Sequence, residues 1–380
     1  MSSSHFVAFI DEFSGAEPAD IDPGLVLAVL AELPDPRKKR GVRHRFAHLL
    51  VIMVCAVIAG QKTLVEVAEW AADTAREQLV ALGIGAPHAT TLGRVLERLD
   101  ADAMDNLIGA WSQAATAATA IAIDGKEVRG AKNGGGARVH LMAAIDQDTG
   151  AVLGQVSVAE KSNEIPYFST LMDTIKDVRG VVVTADALHT QRSHATYLHE
   201  RGAHYVLTVK GNQPALHTQL ASLPWNRVRA GNRTKEQTNG REIARTVKCV
   251  SVAAGINFPH AAQAIQITRK SRPLGTRKWS TETVHAVTSL TPSEGQPAQI
   301  GAWIRGHWGI ENGLHWRRDV LWNEDHSQVR KGQAPRVMAS LRNLAITIHR
   351  LAGQTNLSKA TRAARNHPNR ALKLAGINFA

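Results

Sequence analysis

Three acidic residues stand where chemistry is easiest to read. Ile121-Ala122-Ile123 is an apolar run that stops at Asp124, with Gly125 and Lys126 behind it. Val181-Val182-Val183-Thr184-Ala185 is a second run, and it stops at Asp186. Such runs read as buried strands, so each aspartate is delivered to the rim of a sheet. A charge there is costly unless something meets it. The plainer reading is a solvated turn, since Asp-Gly is common turn chemistry. The third acid is Glu311, inside a stretch from Trp303 to Arg318 that is dense in Trp and basic residues. His307, His315 and Arg318 lie four before, four after and seven after it, offsets that share one helical face. A surface salt-bridge stripe is the plain alternative. Four of the chain's eight Trp fall between 303 and 322, which argues against a solvated face. Glu324 and Asp325 are rival third acids.

Three carboxylates are the donor set of hard divalent ions. Mg²⁺ takes carboxylate and water oxygens and leaves positions open for phosphate. Two such ions about 3.5–4 Å apart activate the attacking oxygen and steady the leaving one in an in-line displacement at phosphorus. Mn²⁺ can stand in. The chemistry needs no histidine base and no covalent enzyme intermediate, but it does need a basic surface.

The composition supplies one. The 380 residues carry a formal charge of +12 and a pI near 10.0, which points to a polyanion, most simply nucleic acid. A basic enzyme without such a partner is the alternative. Arg37-Lys38-Lys39-Arg40 open a basic strip that runs to Arg45; it reads as a phosphate contact or as a solvated linker. Two cysteines make neither a zinc cluster nor a disulfide framework and suit a reducing compartment. The N-terminus lacks a secretory layout. The longest apolar run, Phe46 to Ala59, falls short of the ~20 residues of a membrane span and reads as a buried helix.

The elements that must hold the acids follow in order. Residues 1–19 are expected to be disordered. Residues 20–118 read as a helical domain, with helices over 20–33 (Asp22 as cap, Pro23 in the first turn), 46–59, 63–82, from Thr90 or Thr91 to Leu99, and 100–118. Pro87 to Arg94 reads equally as half of a helix-turn-helix or as ordinary packing. From Ile121 the texture turns to strands over 121–128, 138–145 and 151–159, with turns at 134–136 and 148–150. A helix over 164–178, a strand over 181–186, a helix over 193–202 and a strand over 204–209 complete the series. That order matches a ribonuclease-H-like α/β core, in which the first and fourth strands are neighbours and their terminal acids meet. Residues 211–300 read as an inserted β-rich subdomain with strands over 243–252, 264–269 and 283–290. A helix from Gln299 and an apolar helix over 334–351 close the catalytic domain, 119–351. The basic tail, 352–380, reads as mobile or phosphate-facing.

The motifs then become specific. Asp124-Gly125-Lys126 with Arg129, Ala185-Asp186-Ala187-Leu188-His189-Thr190-Gln191, and His307-Trp308-Gly309-Ile310-Glu311-Asn312 with Leu314-His315-Trp316 resemble the catalytic blocks of insertion-sequence DDE transposases. Asp319-Val320, Glu324-Asp325, Arg330-Lys331-Gly332 and Leu341-Arg342-Asn343-Leu344-Ala345 continue the likeness. The branch most similar is the ISAs-type group, whose N-terminal associated domain resembles Asp35-Pro36-Arg37 and Gly41 to His44 with the apolar helix behind them. The resemblance runs from about 33 to 351. It implies Asp124, Asp186 and Glu311 as catalytic, metal-binding residues with two Mg²⁺ ions. It implies double-stranded DNA (transposon ends and target), a homodimer within a synaptic complex, and a bacterial cytoplasmic protein without a membrane partner. Lys126, Arg129, His307, Trp308, His315 and Arg318, with Arg37, Lys38, Lys39 and Arg40, are the expected DNA contacts. Wider relatives place Tyr, Arg and Lys seven before, four before and seven after the glutamate. Here those positions hold Ile304, His307 and Arg318. Arg318 keeps the charge, His307 does so only when protonated, and Ile304 lacks the hydroxyl. The expected activity is cleavage at transposon ends followed by strand transfer. A metal nuclease that cuts without joining, and a transposase-derived DNA-binding protein without catalysis, are the alternatives.

Overall fold

The computed structural model describes residues 25–40, 42–132, 138–159, 162–252 and 255–378. The expected disorder of 1–19, the Asp22 cap, Gly41 and the turn at 134–136 lie outside them. In chain order the elements are α1 (Leu25–Ala31), α2 (Phe46–Ile58), α3 (Leu64–Glu69), α4 (Arg76–Ala81), α5 (Ala89–Arg98), α6 (Ala101–Ala114), β1 (Ala120–Lys132), β2 (Arg138–Asp146), β3 (Val152–Val158), α7 (Tyr167–Asp173), β4 (Val182–Ala185), α8 (Arg192–Glu200), β5 (His204–Val209), α9 (Pro214–Ala221), β6 (Asn232–Thr238), β7 (Arg241–Ser251), β8 (Gln263–Pro273), β9 (Ser280–Thr288), α10 (Pro297–Ile310), α11 (Trp316–Trp322), α12 (Ala334–Leu351), α13 (Leu357–Asn366) and α14 (Pro368–Leu374). The protein is thus mixed α/β. No described helix is long and apolar enough to cross a membrane.

The chain divides into two compact units. One takes in the chain through Ala118, Gly125–Lys176 and Ile310–Ala380; the other takes in Thr119–Asp124 and Asp177–Gly309. The helices of the expected helical domain share this first unit with β2, β3 and α12. α2 has no acidic or cationic residue besides His48 and buries Leu49 through Ile58 apart from Val51. Such a helix must be enclosed. Its last carbonyls would be orphaned, and side chains take them. Trp322 Nε1 donates to Val57 O (3.0 Å), His349 Nε2 meets Ile58 O (3.1 Å), and Arg365 donates to Ala59 O (3.3 Å) and Gly60 O (2.9 Å). The expected helix over 63–82 is interrupted by a π-helical turn at Trp70–Thr74, which helps bury Trp70. α5 is capped by His88, whose Nδ1 accepts the Thr90 N–H, rather than by a threonine.

In the second unit the strands run β1-β4-β5-β9-β8-β7-β6. β1, β4 and β5 are parallel, with Ala120↔Val182 through Ile123↔Ala185 and Val182↔His204 through Ala185↔Leu207. β9 joins antiparallel to β5, from Val206↔Thr288 to Val209↔His285. Residues 211–300 therefore do not form a separate subdomain sheet; their strands extend the parallel core edge. β6 is polar throughout and pairs only with β7, as an outermost strand does. Helix α10 packs Ile300, Trp303 and Ile304 on Ala120, Val182, Val206 and Ile265.

Candidate active site

Register brings two of the three acids together. Ile123 pairs with Ala185 on parallel strands, so Asp124 and Asp186 fall in the next row, side by side; Asp186 lies just past the end of β4, whereas Asp124, expected at a strand end, lies within β1. Asp186 remains extended (φ −69°, ψ 176°) and its Oδ1 accepts the Leu188 N–H at 3.0 Å. Asp124 is half-buried and Asp186 exposed. Side chains alternate along strands, so Asp124 shares a face with Ala120, and Asp186 shares one with Val182 and Thr184. That is the face α10 covers. His307 on α10 reaches Thr184, Nδ1 to Oγ1 at 3.3 Å, while the Thr184 hydroxyl lies 3.2 Å from Ile121 O. His307 is therefore docked beneath the acid pair as well as half-exposed.

In the first unit β1 continues straight through Gly125 to Lys132, so Asp-Gly is not a turn here. A Cβ on Gly125 would lie 2.0 Å from Glu164 Oε1, so any side chain there would push this carboxylate aside. Glu164 pairs with His140 at 2.9 Å. The sequence reading placed Glu164 merely at a helix start and missed it.

Glu311 is exposed and opens a π-helical turn, Glu311–His315. That turn breaks the 3.6-residue period on which the expected shared face depended. His315 is buried (6% exposed) and Arg318 is fully buried. Arg318 is therefore corrected from DNA contact to structural partner. It pairs with Glu324 at 2.7 Å and donates to Asn343 Oδ1 at 3.3 Å, and Arg342 pairs with the other Glu324 oxygen at 2.8 Å. Burial alone would raise the Glu324 carboxyl, but its two arginines outweigh burial and hold it at about 2. Glu324 has no coordination left to give. His315, buried, is likewise not a surface contact.

Lys126 is also corrected. Its side chain is 10% exposed, and its ammonium lies 2.7 Å from Asp319 and 3.6 Å from Asp325. Burial raises the Asp319 carboxyl above its ordinary range and Lys126 only partly offsets it. Asp325 thus sits between two cations without a close hydrogen bond to either. Arg129 is 3.8 Å from Asp325 but 71% exposed. Arg37 is forked onto Asp35 at 2.7 Å, and that hydrogen bond holds the Asp35 carboxyl low. Lys38, Lys39, Arg40 and Trp308 are exposed. Of the expected DNA contacts, Arg129, Lys38, Lys39, Arg40 and Trp308 are thus exposed and His307 and Arg37 half-exposed.

Among the described residues no group of three or more His, Cys, Asp and Glu side chains stands together as a metal cluster. What the strand register assembles is a pair of carboxylates, an all-oxygen donor set of the kind Mg²⁺ accepts.

Residues 116–348 match the family described as "Transposase DDE domain", and residues 27–112 match "DDE_Tnp_1-associated". The chain belongs to the DDE transposase family. Among its relatives, "Putative transposase YncI" of Escherichia coli O157:H7 is 29% identical over 86% of this chain and 87% of its own length. "H repeat-associated putative transposase YhhI" of Escherichia coli strain K12 is 27% identical over 83% and 88%. A solved structure, "Cryo-EM structure of piggyBac transposase synaptic complex with hairpin DNA (SNHP)", is 12% identical with a TM-score of 0.45, covering 96% of this chain and 78% of that one.

Proposed function

We propose that this chain is the transposase of an insertion sequence, cutting transposon ends and joining the freed 3′-hydroxyls to target DNA. The observation that carries the reading is the β1–β4 register, in which Asp124, within β1, and Asp186, just past β4, take neighbouring positions on parallel strands. A ribonuclease-H-like core has this arrangement, and membership of the DDE transposase family supports it. Asp124, Asp186 and Glu311 would hold two divalent ions, Mg²⁺ or Mn²⁺. Glu311 follows directly on α10, the helix that covers the acids' face of the sheet. The bound ions would activate the attacking oxygen and steady the leaving one. The chain's own residues do the rest. Thr184 and the Ile121 carbonyl fix His307 beside strand β4, and Gly125 lets Glu164 close on the backbone next to Asp124. Arg129, Lys38, Lys39 and Arg40 attract the phosphodiester backbone, and exposed Trp308 offers a ring for an unpaired base. Duplex DNA is the substrate, bound by a homodimer in the synaptic complex.

The test supplies a pre-cleaved transposon end and a plasmid target with Mg²⁺. Wild-type protein joins them, and Asp124→Ala, Asp186→Ala and Glu311→Ala each lose joining by at least about 100-fold, the scale of losing one key charge-stabilising group. Full joining by any one variant removes that residue from the triad. Cleavage without joining makes the chain a nuclease, and tight DNA binding without cleavage makes it a silent binder.

A further inference from the structure

The last part of the chain lies beyond the residues that the family match covers. The tail was expected to be mobile or phosphate-facing, and the first alternative does not hold: α13 and α14 are folded helices. They bury Leu357, Thr361, Ala364, Ala371, Leu372 and Ala375. Their apolar sides pack on α2, and α13 also meets α12. The docking is close. A Cβ on Gly60 would come within 2.3 Å of Thr361 Cγ2, and Arg365 is bonded to the carbonyls of Ala59 and Gly60 at the end of α2. A cation there also meets the negative end of the α2 dipole.

The outer side of the pair is different. Lys359 and Arg362 stand one turn apart on α13, and Arg370 and Lys373 one turn apart on α14; all four are exposed. No Asp or Glu occurs in the sequence after Asp325. α13 and α14 therefore contain no acid, and neither do the helices they pack on, α2 and α12. The four cations have no internal counter-charge on any of these elements. Like charges gathered on one face repel unless a polyanion neutralises them.

We infer that the outer face of α13 and α14 is a second DNA-contacting surface, which grips the phosphate backbone of duplex DNA without reading its sequence. Lys359, Arg362, Arg370 and Lys373 supply the contacts, and the buried side of the pair fixes them rigidly to α2. Backbone contacts of this kind release counterions, so they are read through salt dependence. They position DNA without specifying bases. The surface lies outside the carboxylate site and does not depend on it.

The experiment uses the full chain and a random-sequence duplex in chelator, so the carboxylate chemistry takes no part. Affinity is measured against salt concentration for wild type and for the combined variant Lys359→Gln, Arg362→Gln, Arg370→Gln, Lys373→Gln. Each lost phosphate contact flattens the log–log salt slope by about 0.9, so the variant's slope is expected to be shallower by about two to four. A set that exchanges Lys for Arg and Arg for Lys at the same positions should keep the wild-type slope. The four side chains are exposed, so thermal unfolding should be unchanged, and it is recorded to show that the variant is folded. A wild-type slope in the folded quadruple variant overturns the inference. So does an unchanged slope with altered self-association by sedimentation, which would make the face an interface between copies. Failure of strand transfer alongside a flattened slope would sink the proposed function and leave this surface standing.

Discussion

Glu311 and Glu324 belong to the same compact unit and the same stretch of chain, yet they sit in opposite surroundings. Glu324 is fully buried between Arg318 and Arg342, and the network runs on through Asn343 to Gln155 and Asp105, where Arg336 pairs at 2.8 Å. Glu311 is exposed at the start of a π-helical turn. The acid pair of Asp124 and Asp186 resembles Glu311 in this respect, half-buried and exposed respectively. A buried acid must be matched by cations or it is not tolerated. An acid at the surface keeps its hydration and needs no such match. The two kinds of carboxylate therefore fail in different ways when changed.

The largest effect is expected at the buried centre. Glu324→Gln leaves two buried guanidiniums short of their counter-charge and should cost about 3–5 kcal/mol of stability, read by denaturant unfolding. The pH dependence carries the sign. Because the folded carboxyl is held at about 2 against an ordinary 4.5, Glu324 contributes fully above the ordinary value and loses its contribution as pH falls toward 2. The stability gap between wild type and Glu324→Gln should narrow across that window. A gap that stays constant would show that charge pairing is not what Glu324 supplies.

Asp186→Asn should behave in reverse. It removes a charge at an exposed position, so stability should change by less than about 0.5 kcal/mol, while DNA cleavage falls by about 100-fold or more. A large loss of stability there would erase the distinction between the two classes of acid.

Lys126 is the intermediate case, since it borders Asp124 in sequence but serves Asp319 and Asp325. Lys126→Met should cost about 1–3 kcal/mol by leaving those acids poorly satisfied. Some of that stability should return on acidification, because a carboxyl raised above its ordinary 3.8 holds its proton more tightly when folded. The smallest effect is expected at the surface pair: Arg37→Ala should cost under about 1 kcal/mol, by thermal unfolding.

Asp186 was legible as a strand-end acid because the signal is local: the apolar run of β4 fixes the strand, and the residue after it is the acid; Asp124 was not, because β1 runs on past its apolar run to Lys132. β1, β2, β3, β4 and β5 follow from the same periodicity. The π-helical turns at 70–74 and 311–315 were not legible, because they insert a residue into the period that pattern reading assumes. Arg318 looked like a surface cation because its partners, Glu324 and Arg342, become visible only after folding. β6 was missed because both its faces are polar, as suits an edge strand. The C-terminal helices were read as a tail because their apolar residues are few and small, chiefly alanines, which bury well only against the close surface at Gly60.

The central claim is that Asp124 and Asp186 act together as ion ligands. The direct measurement is Mn²⁺ binding by titration calorimetry to the protein with a cleaved transposon end, comparing wild type with Asp124→Asn and Asp186→Asn. The account predicts that each substitution weakens binding at least ~10-fold while the protein stays folded and holds the DNA. Wild-type Mn²⁺ affinity in either variant would contradict it.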